Sequence, residues 1–97
     1  MPNAPWALIE TPAYARALRR FFRKHPDLRD THTEVIRLLS VNPHTPSLRF
    51  HPLGGELVGQ HAVSITYTYR ITVTLIVVQR EIVLLNVGSH DEVYGGR

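Results

Sequence analysis

A chain of 97 residues, 43% hydrophobic and 20% charged, is sized and composed for one globular domain spanning 1–97, which excludes a disordered polymer and a multi-core protein. It has no cysteine, which excludes disulfides and thiolate chemistry and leaves only His and carboxylates as metal ligands. Eleven basic residues face eight acidic ones for a net charge of +3, and every basic residue except Lys24 is arginine.

The planar Arg fork matches phosphate oxygens, so nucleic acid is the first candidate partner; a plain solubility charge is the alternative. Met1–Trp6 lacks the basic start and apolar stretch of a secretion signal, and runs such as Leu75–Val78 are too short to span a bilayer. A cytoplasmic location without membrane contact is expected.

In chain order, Trp6–Glu10 reads as a short strand. Thr11-Pro12 then opens a helix, with Thr as N-cap and Pro at the first helical position. Tyr14, Ala17, Leu18, Phe21 and Phe22 fall on one face of it, and Arg16, Arg19, Arg20 and Arg23 on the other. Pro26 ends this helix near His25. A second helix is expected from about Asp27 to Ser40, burying Leu28, Val35, Leu38 and Leu39, before the Asn42–Pro46 breaker.

Beyond Pro46 the chain turns to β. Leu48–His51 reads as a strand ending at the Gly54-Gly55 turn. His61–Val87 is rich in Val, Ile, Thr and Tyr, with a turn near Thr66–Tyr69 and a two-residue turn at Gln79-Arg80. Ile82–Leu85 is apolar on both alternating faces, which predicts a central strand covered, at least in part, on both sides. The order gives an α+β domain, two N-terminal amphipathic helices covering one face of a mainly antiparallel sheet of four or five strands. The other face is left for a ligand.

Three features carry candidate chemistry. The arginine face of the first helix suits a phosphate backbone. The six histidines show no metal-binding spacing, so no metal or cofactor is expected; His51 and His90, each at a strand end, suit general acid–base work instead. The segment Val87–Gly95 packs a Gly, a His, two acids and a Tyr after a buried strand, with Val93 and Tyr94 as apolar anchors.

Several pieces, in order, resemble the toxins of the RelE/ParE superfamily. They are Trp6–Pro12 leading into the basic helix, Asn42-Pro43, Leu48–Gly59 with its His51-Pro52-Leu53-Gly54-Gly55, Ser64-Ile65, Tyr69-Arg70-Ile71, and Leu84–Tyr94 with its Gly88-Ser89-His90. The likeness covers nearly the whole chain and is closest to the YafQ-like and RelE/StbE-type messenger-RNA interferases. It implies the toxin of a type II toxin–antitoxin system, an endoribonuclease that cuts messenger RNA in the ribosomal A site and so inhibits translation. It also implies a cognate antitoxin that wraps the toxin in a hetero-oligomeric complex.

Metal-free RNA cleavage uses the RNA's own 2′-hydroxyl, and needs a base, an acid and a cation for the phosphorane. His51 and His90 are the candidate base and acid, Arg70 the cation, and Tyr94 a group to orient the phosphate or stack on a base. Arg49 joins Arg16, Arg19, Arg20 and Arg23 as an RNA contact. Where YafQ-like toxins carry a further His, an Asp and a Trp, this chain has Ser64, Thr68 and Tyr69. His61, three residues before Ser64, points to the other face by alternation. A ParE-like, non-catalytic inhibitor of DNA gyrase is the alternative activity, and a chain that only binds an antitoxin is a third.

Overall fold

A computed structural model describes residues 5–94. Strand β1 is Ala7–Glu10, and Thr11 caps the helix that follows, α1, Pro12–Lys24. The Thr11 hydroxyl accepts from the Tyr14 N–H at 3.1 Å and donates to the Leu84 carbonyl at 2.8 Å, so one side chain both starts the helix and ties it to the sheet. A 3₁₀ turn at Pro26–Leu28 leads into α2, Arg29–Val41.

After a further 3₁₀ turn at Pro46–Leu48 come β2 (His51–Pro52), β3 (His61–Ser64), β4 (Tyr69–Ile76), β5 (Glu81–Ser89) and the single-turn α3 (His90–Val93). The five strands form one sheet in the order β1-β5-β4-β3-β2, with β1 parallel to β5 and the other neighbours antiparallel. Gly95, the end of the C-terminal segment read from the sequence, lies outside the described residues.

The helices bury one face of the sheet. Tyr14, Ala17 and Phe21 of α1 and Val35 and Leu39 of α2 meet Val63, Ile65, Ile71, Val73, Ile82, Leu84 and Val87 in one core. The apolar face read from the helix spacing is the buried one, and Arg16, Arg19, Arg20 and Arg23 are exposed. His32 is buried as well, with Nε2 sharing a 2.7 Å hydrogen bond with the Tyr14 hydroxyl. Among the described residues no helix is long and apolar enough to cross a membrane.

Two expectations need correction. The strand expected at Leu48–His51 shrinks to His51–Pro52, because Pro46 nucleates a 3₁₀ turn and Arg49 takes a left-handed backbone, φ 51°. The β4–β5 connection is not a two-residue turn: Val77–Gln79 form a 3₁₀ turn and Arg80 supplies the positive φ, 53°. Ile82–Leu85 is covered fully on one side and partly on the other, as its two apolar faces imply: Ile82 and Leu84 are buried while Val83 and Leu85 are half-exposed. A bulge between Thr72 and Val73 leaves Leu85 without a direct partner and re-aims the last part of β5.

Candidate active site on the sheet

Sheet register decides which candidates share a face, because directly paired residues point the same way. His51 pairs with Ala62, Ala62 with Thr72, and Thr72 with Asn86. Two residues further along the same face, Ser64 pairs with Arg70 and Arg70 with Gly88. His51 and Arg70 therefore lie on the face turned away from the helices. His61 pairs with Pro52 and Val73, which puts it on the opposite face from Ser64, as alternation requires.

The ring of His51 is exposed and held by its own loop. Nδ1 lies 2.8 Å from the Arg49 carbonyl oxygen. A carbonyl can only accept, so Nδ1 is the donor here; in the neutral ring this leaves the lone pair on Nε2, the arrangement a general base needs. The left-handed Arg49 backbone is what turns that carbonyl back toward the ring. Next to it, Phe50 stacks on His61 at 4.5 Å and meets His44 edge-on at 5.1 Å. Burial, then the neighbouring His44 and His51, lower the pKa of His61, and its Nδ1 is buried without a hydrogen-bond partner.

Arg70 is fixed from the neighbouring strand, where its Nη1 donates to Ser64 Oγ at 3.1 Å. Ser64 is buried, so the guanidinium leans along β3 rather than swinging free. The result is a cleft of about 300 Å³ lined by Arg49, Ser64, Ile65, Thr66, Tyr67 and Arg70, among others. His51 and His90 stand outside that lining.

His90 owes its place to the local chemistry of the end of β5. The Ser89 hydroxyl accepts from the Glu92 N–H at 3.4 Å, while Glu92 Oε1 accepts from the Ser89 N–H at 2.7 Å, a reciprocal cap that folds the chain into α3. These bonds, the Ser89 N–H first, hold the Glu92 carboxyl below its usual pKa, and Lys24 adds an ion pair at 3.6 Å. Gly88 makes room: a Cβ there would come within 2.5 Å of Glu92 Oε1 and 3.0 Å of Glu92 Cβ. His90 is exposed and meets the Tyr94 ring edge-on at 4.2 Å, with Val93 buried beneath the turn.

On the helix side, α1 offers a second basic surface. Arg19, Arg23 and Arg29 line a shallow groove with Phe22 and Pro26, and the Arg29 guanidinium lies 4.4 Å from the centre of the Phe22 ring. Arg20 and Lys24 line another groove, of about 210 Å³, with His25, Asn86 and Glu92. Two members of these surfaces escape the sequence pattern. Arg29 belongs to a different helix from the arginine face, and Tyr67 sits in a Thr-Tyr-Thr turn whose only signal is an aromatic where Gly, Pro or Asn is usual.

Helices packed on one face of a five-stranded mixed sheet match the fold of the RelE/YafQ-type toxins. YafQ from E. coli strain BL21(DE3) superposes with a TM-score of 0.78 at 14% identity, over 93% of this chain and 99% of the other. The YoeB/ParE toxin from Agrobacterium tumefaciens gives 0.73 at 17% identity, over 87% and 98%. The RelBE2 toxin–antitoxin complex from Mycobacterium tuberculosis gives 0.61 at 22%, over 90% of this chain and 93% of the matched one. No protein-family model and no curated protein sequence matches the chain. The likeness is thus one of fold, carried by structure at identities below 25%.

Proposed function

We propose that the protein is the toxin of a type II toxin–antitoxin pair and that it cuts messenger RNA on the ribosome. The observation that carries this reading is the shared sheet face of His51 and Arg70, with the His51 tautomer set by the Arg49 carbonyl. In the reaction, Nε2 of His51 takes the proton from the 2′-hydroxyl next to the scissile phosphate. The 2′-oxygen bonds to phosphorus, Arg70 offsets the charge of the phosphorane, and the bond from phosphorus to the 5′-oxygen breaks as His90 gives that oxygen a proton. The products are a 2′,3′-cyclic phosphate and a 5′-hydroxyl. Each acid or base role is worth roughly 10²- to 10⁴-fold. Tyr94, packed against His90, orients the phosphate, and the arginines of α1 together with Arg49 contact the RNA backbone.

A cognate antitoxin that wraps the chain is the expected protein partner. The matched folds include the toxin–antitoxin complexes RelBE2 and DinJ–YafQ. The test is induction of the protein in a bacterial host with mapping of transcript ends. Wild-type protein should arrest growth and leave new 5′-hydroxyl ends, and His90→Ala or Arg70→Ala should relieve the arrest while staying folded. Undiminished arrest in both folded variants would remove these roles.

A gyrase-inhibiting toxin is the second reading, and the residues that favour it are Ser64 and Thr68, neither of which is an acid or a base at neutral pH. Gyrase–DNA adducts after induction, with transcripts intact, would select it.

A further inference from the structure

We infer that Tyr67 is a stacking platform for one base of a single-stranded RNA, set at the mouth of the cleft where Arg49 and Arg70 hold the adjoining phosphate. The inference rests on the nuclease reading and adds to it a nucleotide subsite built by the β3–β4 turn.

Three observations converge on this turn. The first is exposure: the Tyr67 ring is 90% exposed, beside a cleft it helps to line. So exposed a ring adds little to the core, and its face is open to a ligand entering the cleft.

The second is rigidity. The Ile65 N–H donates to the Tyr69 carbonyl at 2.8 Å, and the Thr66 hydroxyl accepts from the N–H groups of Thr68 at 3.2 Å and Tyr69 at 3.3 Å. Tyr67 thus sits on a turn stapled on both sides, and little order remains to be imposed when a ligand arrives.

The third is charge. The cleft lining contains two guanidinium groups and no carboxylate. Arg70 spends one N–H on Ser64 and keeps others without partners among the described residues. Arg49 is exposed, on a left-handed backbone (φ 51°) that residues other than glycine seldom adopt.

A flat exposed ring beside paired cations fits a nucleotide, which brings a π-face and a phosphate joined by one sugar. Acidic peptide would satisfy the arginines and leave the ring unexplained. At about 300 Å³ the cleft sits at the small end of ligand sites, enough for one nucleotide. Stacking takes any base, so Tyr67 should govern affinity for RNA rather than choice of sequence.

The experiment uses the full chain and a fluorescent five-nucleotide 2′-O-methyl RNA, which lacks the attacking hydroxyl and cannot be cut. Fluorescence anisotropy is read with and without ribosomes. Tyr67→Ala should weaken binding about 5- to 150-fold, while Tyr67→Phe stays within about twofold of wild type. Arg49→Ala should also weaken it and flatten its salt dependence. Wild-type affinity in Tyr67→Ala, with loss in Arg49→Ala, would overturn the platform and leave the nuclease reading standing. So would a Tyr67→Ala defect confined to antitoxin binding. Tyr67-dependent RNA binding by a protein that leaves transcripts whole in cells would uphold the subsite and overturn the nuclease. Absence of wild-type binding in both formats would overturn the subsite.

Discussion

Replacing His32 by Gln should remove much of the protein's sensitivity to mild acid. His32 is 7% exposed, bonded to the Tyr14 hydroxyl at 2.7 Å, with the Phe22 ring edge-on at 5.1 Å. Burial lowers its pKa from 6.5 to about 4, while burial and Glu10 push the Tyr14 hydroxyl up and keep it protonated. The folded state thus declines a proton that the unfolded chain accepts. Stability is full above pH 6.5, declines as the pH falls, and the loss is complete below about pH 4. Near pH 4.5 the gap amounts to roughly 2.5 kcal/mol, a large share of the ~5–15 kcal/mol a domain has. His61 has its pKa lowered as well and contributes in the same sense, equally in both proteins, so it cancels in the comparison. Urea unfolding of wild type and His32→Gln, followed by the fluorescence of the only tryptophan, Trp6, at pH 7.5 and 4.5, gives the difference directly. Equal losses of stability between the two pH values in both proteins would show that His32 is not the group that titrates.

Gly88→Ala should push α3 off its seat, because the new methyl meets Glu92 Cβ as well as the movable end of that side chain; a loss of about 1–3 kcal/mol in urea unfolding, with weaker growth arrest, is expected. Thr11→Val removes both the helix cap and the bond to the Leu84 carbonyl and should cost about 1–2 kcal/mol in the same assay. Changing Arg16, Arg19, Arg20 and Arg23 together to Gln should reduce the slope of log affinity for single-stranded RNA against log salt by up to about 3. An unchanged slope would show that this face is solvated surface alone.

The helices and the cap of α1 were legible because their signals are local: Thr11-Pro12 and the spacing of Tyr14, Ala17 and Phe21 need no knowledge of the rest of the chain. The parallel pairing of β1 with β5 was not, since nothing near Ala7 names Glu81 as its partner. The same divide runs through the site. His51, Arg70 and His90 are candidates by residue type and by resemblance, and the reciprocal Ser89–Glu92 cap is a sequence signature that positions the last of them. The grip of Ser64 on Arg70 depends on strand register, and the His51 tautomer depends on a left-handed residue two positions earlier. Burial of His32 against Tyr14 depends on how two helices cross. Each arises only once distant segments have met.

The place of β1 has a consequence for how the molecule comes into being. Its neighbour in the sheet is β5, the last strand in chain order among the described residues: Thr11 reaches Leu84, 73 positions away. A growing chain can wind both helices early, yet they have no floor to rest on until β5 emerges, and β5 itself leads straight into the turn that holds His90. Closing so long a loop is slow. The face that carries Arg70 is thus complete only once β5 has slotted between β1 and β4.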